Sequence, residues 1–179
     1  MEQMTVGIIG CGVISGIYLQ NLTRVFQNIK VKSCCAQHFE SAQKRAAEFG
    51  IAATTVEEML ADPEIELVVI LTPPATHFSL IKQALEAGKH VYTEKVLSLA
   101  ECEAKQLCDL ATEKGLYLGS APDTFMGAAL QKCSQVIQGD GLGNITGFDV
   151  YVNRNMDLIA CEYPIVRLAG GGVLYDFGV

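Results

Sequence analysis

The sequence predicts an α/β chain: a doubly wound parallel sheet with helices on both faces, followed by a truncated α+β C-terminal unit. Three observations predict it. Short apolar runs alternate with longer amphipathic stretches through residues 1–121. The strongest of these runs, ELVVIL at residues 66–71, is rich in β-branched residues, as a central parallel strand buried on both faces requires. Glycines stand at the expected stop positions of successive amphipathic stretches. Strands alternating with helices imply βαβ units, and right-handed crossovers then cover both faces of the sheet.

The elements follow in order. Residues 5–10 (TVGIIG) read as a buried strand and 14–28 as a helix. Residues 30–36 (KVKSCCA) read as the second strand, and 40–49 as a helix stopped by Gly50. A short strand at 51–53 and a small helix at 56–60 precede the central strand at 66–71. A helix over 75–87 stops at Gly88, a strand covers 90–92, and a long helix over 99–114 stops at Gly115. Residues 116–118 complete the set of strands. The rhythm changes at Ala121. Residues 123–138 read as a helix with Asp123 or Thr124 available as its cap, and 145–153 alternate like a strand. The triple glycine 170–172 precedes a segment that could open another helix. This reading gives two units: 1–121, the doubly wound domain, and 122–179, the start of a second domain. One strand and part of a helix cannot bury a sheet face, so the second unit reads as cut short.

Composition supports a packed chain. Half of the 179 residues are hydrophobic and 18% are charged, which excludes a disordered polymer. No run approaches the roughly 18 consecutive apolar residues of a membrane span. The first residues lack the basic stretch of a signal peptide, so a cytoplasmic protein without a membrane partner is expected. Thirteen lysines and arginines against twenty acids give a formal charge of −7, which argues against a nucleic-acid partner. An acidic chain can still hold a dinucleotide, because backbone N–H groups and a helix dipole bind pyrophosphate without net positive charge. The seven cysteines include no C-x-x-C pair, so free thiols and no metal are expected.

Gly10-Cys11-Gly12-Val13-Ile14-Ser15 follows a buried strand and opens a helix. It fits G-x-G-x-x-G with Ser15 at the third glycine. Gly10 permits a tight turn, Gly12 lets the backbone approach a pyrophosphate, and the third position needs only a small side chain. A glycine-rich strand–helix turn without a ligand would look similar in isolation. Its place in the first βα unit of an alternating chain favours a Rossmann-type dinucleotide site. An acid that bonds a ribose 2′-hydroxyl would stand at the end of the second strand. Ala36, Gln37 and His38 stand there instead, with Lys44 and Arg45 on the next helix. That pattern is compatible with a 2′-phosphate, so NAD or NADP is expected with a lean towards NADP.

Four further segments add specificity. They are Thr72-Pro73-Pro74-Ala75-Thr76-His77, the stretch 86–95 ending in Thr93-Glu94-Lys95, Gly119-Ser120-Ala121-Pro122-Asp123-Thr124, and Gly170-Gly171-Gly172-Val173-Leu174-Tyr175-Asp176-Phe177-Gly178. Together with the amino-terminal loop, and along essentially the whole chain, they resemble the Gfo/Idh/MocA oxidoreductases. The resemblance implies an N-terminal Rossmann domain and a C-terminal domain with an open sheet used for substrate binding and subunit contacts. It implies hydride transfer between NAD(P) and a sugar, cyclitol or related polyol, and a homo-oligomer at full length. It makes Glu94-Lys95 the first two residues of an E-K-P motif, with Val96 in place of the proline, and Lys95 the group that takes the hydroxyl proton. A lysine can do so where burial or nearby positive charge disfavours its ammonium form. Read without the resemblance, Lys95 is a strand-end lysine paired with its neighbour.

Asp176 matches the aspartate of a D-x-x-x-H segment whose histidine would fall at position 180, beyond this chain. It would bind a substrate hydroxyl or tune the lysine; alone, it also suits a helix first turn. Thr72, Pro73, Pro74 and His77 stand at the carboxyl end of the central strand, in the loop that lines the cofactor in this family, although His77 alone suits a helix start. Tyr18 reads as packing. The catalytic candidates are therefore Lys95 and Asp176. The cofactor candidates are Gly10, Cys11, Gly12, Val13, Ile14, Thr72, Pro73, Pro74, His77, Glu94 and Lys95. Two other functions stay open: a regulatory protein that senses the cofactor without turnover, and a cofactor-binding piece that is inactive by itself.

Overall fold

In a computed structural model of the chain, the described residues are 3–122, 126–139, 142–147, 149, 151, 153 and 155. Strands β1 (Met4–Ile9), β2 (Ile29–Cys35), β3 (Ala52–Ala53), β4 (Leu67–Ile70), β5 (His90–Thr93) and β6 (Leu118–Ser120) form one sheet. Their order is β3-β2-β1-β4-β5-β6, and every pairing is parallel. The chain winds outwards from β1 to β3, returns to β4 beside β1, and winds outwards again. This is the Rossmann order, with its switch point between β1 and β4.

The helices α1 (Ser15–Arg24), α2 (Phe39–Phe49), α3 (Val56–Ala61), α4 (His77–Glu86) and α5 (Glu101–Glu113) cover the two faces. β4 shows how the sequence encodes this. Val68 and Ile70 pack with Ile81, Leu85 and Leu107 on one face. Val69 and Leu71 pack with Leu19, Leu22 and Ala46 on the other. Successive side chains of a strand point to opposite faces, so a strand covered on both sides must be apolar at every position. Gly50, the C-cap of α2, adopts the left-handed conformation at φ 68°, as its helix-stop position predicts.

The structure departs from the sequence expectations at element ends. α1 stops at Arg24, four residues early, because the N–H groups of Val25 and Phe26 both turn back to the Asn21 carbonyl and the chain leaves for β2. The sixth strand lies at 118–120, two residues later than expected. Leu116 N–H is taken by the Ala111 carbonyl, which completes the end of α5. The segment after residue 121 also differs. Helix α6 (Ala128–Gln138) begins later than expected, with Gly127 at its cap and no side-chain cap bond, while the expected caps Asp123 and Thr124 lie outside the described residues. The described positions within 145–153 are not in a strand. Positions 170–179, with Asp176, lie outside the described residues. Among the described residues, no helix is long and apolar enough to cross a membrane.

Candidate functional site

Because all six strands run parallel, their carboxyl ends share one edge of the sheet. That edge collects the loop after β1, the end of β2, the Thr72-Pro73-Pro74 turn after β4 and Glu94-Lys95 after β5. Gly10 leaves β1 with φ 111°, and its N–H donates to the Cys35 carbonyl at 2.9 Å. A Cβ there would lie 2.8 Å from the carbonyl carbon and oxygen of Leu71. Only glycine lets β1 turn this close to β4. At Gly12 a Cβ would meet nothing within 4 Å. The backbone at Gly12 therefore borders open space at the start of α1, which is what a pyrophosphate cradle requires. Ser15 is fully buried and donates its hydroxyl to the Gly12 carbonyl at 2.6 Å. The serine thus closes the loop on itself while filling the place of the third glycine. Val13 and Ile14 stand exposed between them.

Arg45 reaches the same loop from α2. Its Nη2 lies 3.4 Å from the Gly12 carbonyl, while Nη1 pairs with Glu48 at 2.8 Å. No carboxylate stands at the end of β2, where Ala36, Gln37 and His38 follow Cys35.

On the other side of the switch point, Pro74–Thr76 forms a 3₁₀ turn that leads into α4. The Thr76 hydroxyl lies 2.8 Å from both the Thr72 hydroxyl and the Pro73 carbonyl. The His77 ring is fully buried and spans two carbonyls, Nδ1 at 2.6 Å from Val96 O and Nε2 at 2.8 Å from Thr72 O. Which nitrogen donates depends on the tautomer. The ring faces protein rather than the open edge. It joins the loop after β4 to the turn after Lys95, and its place at the site is that of a strut.

Glu94 is held at both carboxylate oxygens. Oε1 accepts the Tyr18 hydroxyl at 2.7 Å, and Oε2 accepts the Lys95 backbone N–H at 3.2 Å. Burial, reinforced by the Glu94 carboxylate, keeps the Tyr18 phenol protonated far above its ordinary range and so a donor. Sequence reading assigned Tyr18 to packing. The structure instead ties α1, whose amino end carries the glycine loop, to the strand end that carries Lys95. The partners lie 76 residues apart, and no local pattern signals the bond. The backbone continues through a cis peptide between Lys95 and Val96.

The arrangement brings Gly10–Ile14, Thr72–Pro74, Glu94 and Lys95 to one edge of the sheet at its topological switch point, where doubly wound sheets bind ligands. Comparison with known proteins agrees with the geometry. The model of an oxidoreductase family with an NAD-binding Rossmann fold, GFO_IDH_MocA, matches residues 4–121. The chain belongs to the Gfo/Idh/MocA family. An uncharacterized oxidoreductase of Schizosaccharomyces pombe is 31% identical over 99% of this chain and 49% of its own length. A scyllo-inositol 2-dehydrogenase (NADP(+)) of Bacillus subtilis is 25% identical over 99% of this chain and 49% of its own length. The crystal structure of GenD2, from gentamicin A biosynthesis and in complex with NAD, superposes with a TM-score of 0.81. It is 26% identical and is matched over 99% of this chain and 51% of that one. The chain spans about half the length of the first curated relatives it matches.

Proposed function

We propose that this chain is the dinucleotide-binding part of an NAD(P)-dependent oxidoreductase acting on a sugar, cyclitol or related polyol. One observation carries the reading: the Tyr18–Glu94 bond ties α1, the helix that the glycine loop opens, to the strand end that carries Lys95. A nicotinamide cofactor bound here would supply hydride chemistry at the substrate carbon. The Gly12 backbone and the start of α1 would hold its pyrophosphate. Thr72, Pro73 and Pro74 would line it, with His77 holding their loop against the Lys95 turn. Lys95 takes the proton from the substrate hydroxyl, or returns it in the reverse direction. Glu94 fixes the Lys95 backbone. Asp176, outside the described residues, binds a substrate hydroxyl or tunes Lys95. Residues 1–121 form the cofactor domain, and 122–179 open the domain that carries substrate and subunit contacts at full length.

Lys95→Ala in the complete protein is expected to lower cofactor-linked oxidation of an active sugar or cyclitol by about 100-fold or more, the scale of a positioned general base. Turnover equal to the parent with every active polyol would remove Lys95 from catalysis. Absence of turnover in both proteins across a broad polyol panel, with cofactor still bound, would favour a cofactor-sensing role.

The cofactor lean is towards NADP. It is supported by the missing acid after β2 and by the Arg45 guanidinium beside the Gly12 carbonyl. A side-by-side fluorescence titration is expected to show NADPH bound at least as tightly as NADH. A strong preference for NADH would overturn the lean.

A further inference from the structure

We infer that Tyr18 is a positioning residue for the proton step: through Glu94 it sets where Lys95 stands relative to the glycine loop, and so governs turnover without touching substrate or cofactor. The role in turnover rests on the assignment of proton transfer to Lys95. The positioning itself is a property of the chain alone.

The sheet bonds stop just short of Lys95. The Glu94 N–H donates to the Ile70 carbonyl, and the Ala121 N–H donates to the Thr93 carbonyl, both at 2.9 Å. The Lys95 N–H is the first beyond these bonds, and it donates to the Glu94 carboxylate at 3.2 Å. A carboxylate on a flexible side chain holds a backbone group firmly only where its own rotamer freedom has been removed. The Tyr18 hydroxyl does this by donating to the other carboxylate oxygen at 2.7 Å. A hydrogen bond to an ionised acceptor is roughly twice as strong as one between neutral groups. The phenol stays protonated, so it remains a donor.

Tyr18 is suited to this by its place. It is the fourth residue of α1, one turn after the glycine loop. Helical side chains lean towards the amino end, here towards the sheet edge where the loop lies. The ring packs against the core that holds Leu19, Val69 and Leu71, and that packing fixes where the hydroxyl stands. Beyond Lys95, the His77 ring reaches the Val96 carbonyl at 2.6 Å. The backbone around Lys95 is thus anchored on one side to α1 and on the other to α4. Hydride leaves the substrate carbon while the proton leaves the oxygen bonded to it. The separation between the cradle and Lys95 therefore has to be kept, and an error of about 1 Å can cost about 100-fold in rate. Removing the Tyr18 hydroxyl leaves the ring packing and the cradle in place, so the loss falls on turnover.

Amide hydrogen exchange in the native chain, read by NMR without cofactor or substrate, tests the positioning directly. In Tyr18→Phe the Lys95 amide is expected to exchange about ten-fold faster or more, while the Glu94 and Ala121 amides, held by sheet bonds, keep their rates. In Glu94→Ala the Lys95 amide should already exchange fast, and adding Tyr18→Phe should change nothing, because the hydroxyl acts only through that carboxylate. Unchanged exchange at Lys95 in Tyr18→Phe overturns the positioning. Equal acceleration at all three amides overturns it too, since Tyr18 would then only stabilise the strand end. A further acceleration in the double variant overturns the route through Glu94. Turnover is then read in the complete protein, with whichever of myo-inositol, scyllo-inositol and D-xylose the parent oxidises. Tyr18→Phe is expected to lower kcat about ten-fold or more, with KM and the affinities for NADH and NADPH close to those of the parent. Parent-like kcat in Tyr18→Phe, where Lys95→Ala is inactive, overturns the role of Tyr18 alone. Parent-like kcat in both variants overturns the assignment of Lys95 and the role of Tyr18 with it.

Discussion

Gly12→Val is expected to leave the fold intact and to weaken NADH and NADPH binding by about 100-fold or more, equivalent to roughly 3 kcal/mol. The reason is the space around Gly12. A Cβ there meets no protein atom within 4 Å, so the side chain strains nothing in the free protein. Substitutions of that kind stay within about 0.5 kcal/mol of the parent in stability. The same open volume is what a pyrophosphate needs to approach the backbone, and a valine fills it. Thermal melting and a nucleotide titration on the same sample check the two halves separately. Parent-like affinity in a folded variant would mean that the pyrophosphate does not cross Gly12.

Gly10→Ala, two residues away, is expected to fail in the opposite manner. Gly10 sits at φ 111°, where an L side chain carries a backbone strain of about 1–3 kcal/mol. The added methyl would stand 2.8 Å from two backbone atoms of Leu71 and 3.1 Å from the Thr72 nitrogen. Those atoms cannot move aside easily, because Leu71 N–H is bonded to the Ile9 carbonyl at 2.7 Å in the middle of the sheet. Strain and overlap together are expected to destabilise the chain by about 3 kcal/mol or more, at the severe end for a single substitution. Urea denaturation should show a lower midpoint with an unchanged slope. A midpoint equal to that of the parent would show that β1 and β4 separate at this point without cost. Cofactor binding should be lost along with stability. The pair of glycines therefore separates a residue that shapes the fold from one that leaves room for the ligand.

Much of the fold was legible in the sequence, and the reasons are local. Every strand and helix expected before residue 121 exists, because burial on two faces leaves a continuous apolar run and burial on one face leaves a helical stripe. Gly50 marks a stop for a reason any sequence shows, since the left-handed cap favours a residue without Cβ. Boundaries were less legible. The end of α1 depends on the Asn21 carbonyl accepting two N–H groups, and the start of β6 depends on pairing with β5, with Val91 opposite Leu118. Neither appears in a hydrophobic pattern. After residue 121 the alternation at 145–153 resembled a strand, yet the described positions there are not in one. Alternation makes a strand possible, and only a pairing partner makes it form.

The candidate site divides in the same way. Gly10, Gly12 and the Glu94-Lys95 pair were legible because each needs a particular residue type at a particular spacing. The bond from Tyr18 to Glu94 was not, Arg45 was legible as a nearby charge but not as a neighbour of the Gly12 carbonyl, and His77 was legible as a loop residue but not as a buried strut. By itself the sequence determined a doubly wound α/β domain, its glycine loop and the lysine at a strand end. Those features repeat every two or about 3.6 residues, or occupy one short motif, so nearby side chains encode them. The tertiary structure alone decided the order β3-β2-β1-β4-β5-β6 and the bond from Tyr18 to Glu94. Such contacts join residues far apart in the chain. They exist only after crossovers and strand register have fixed which ends of which elements meet.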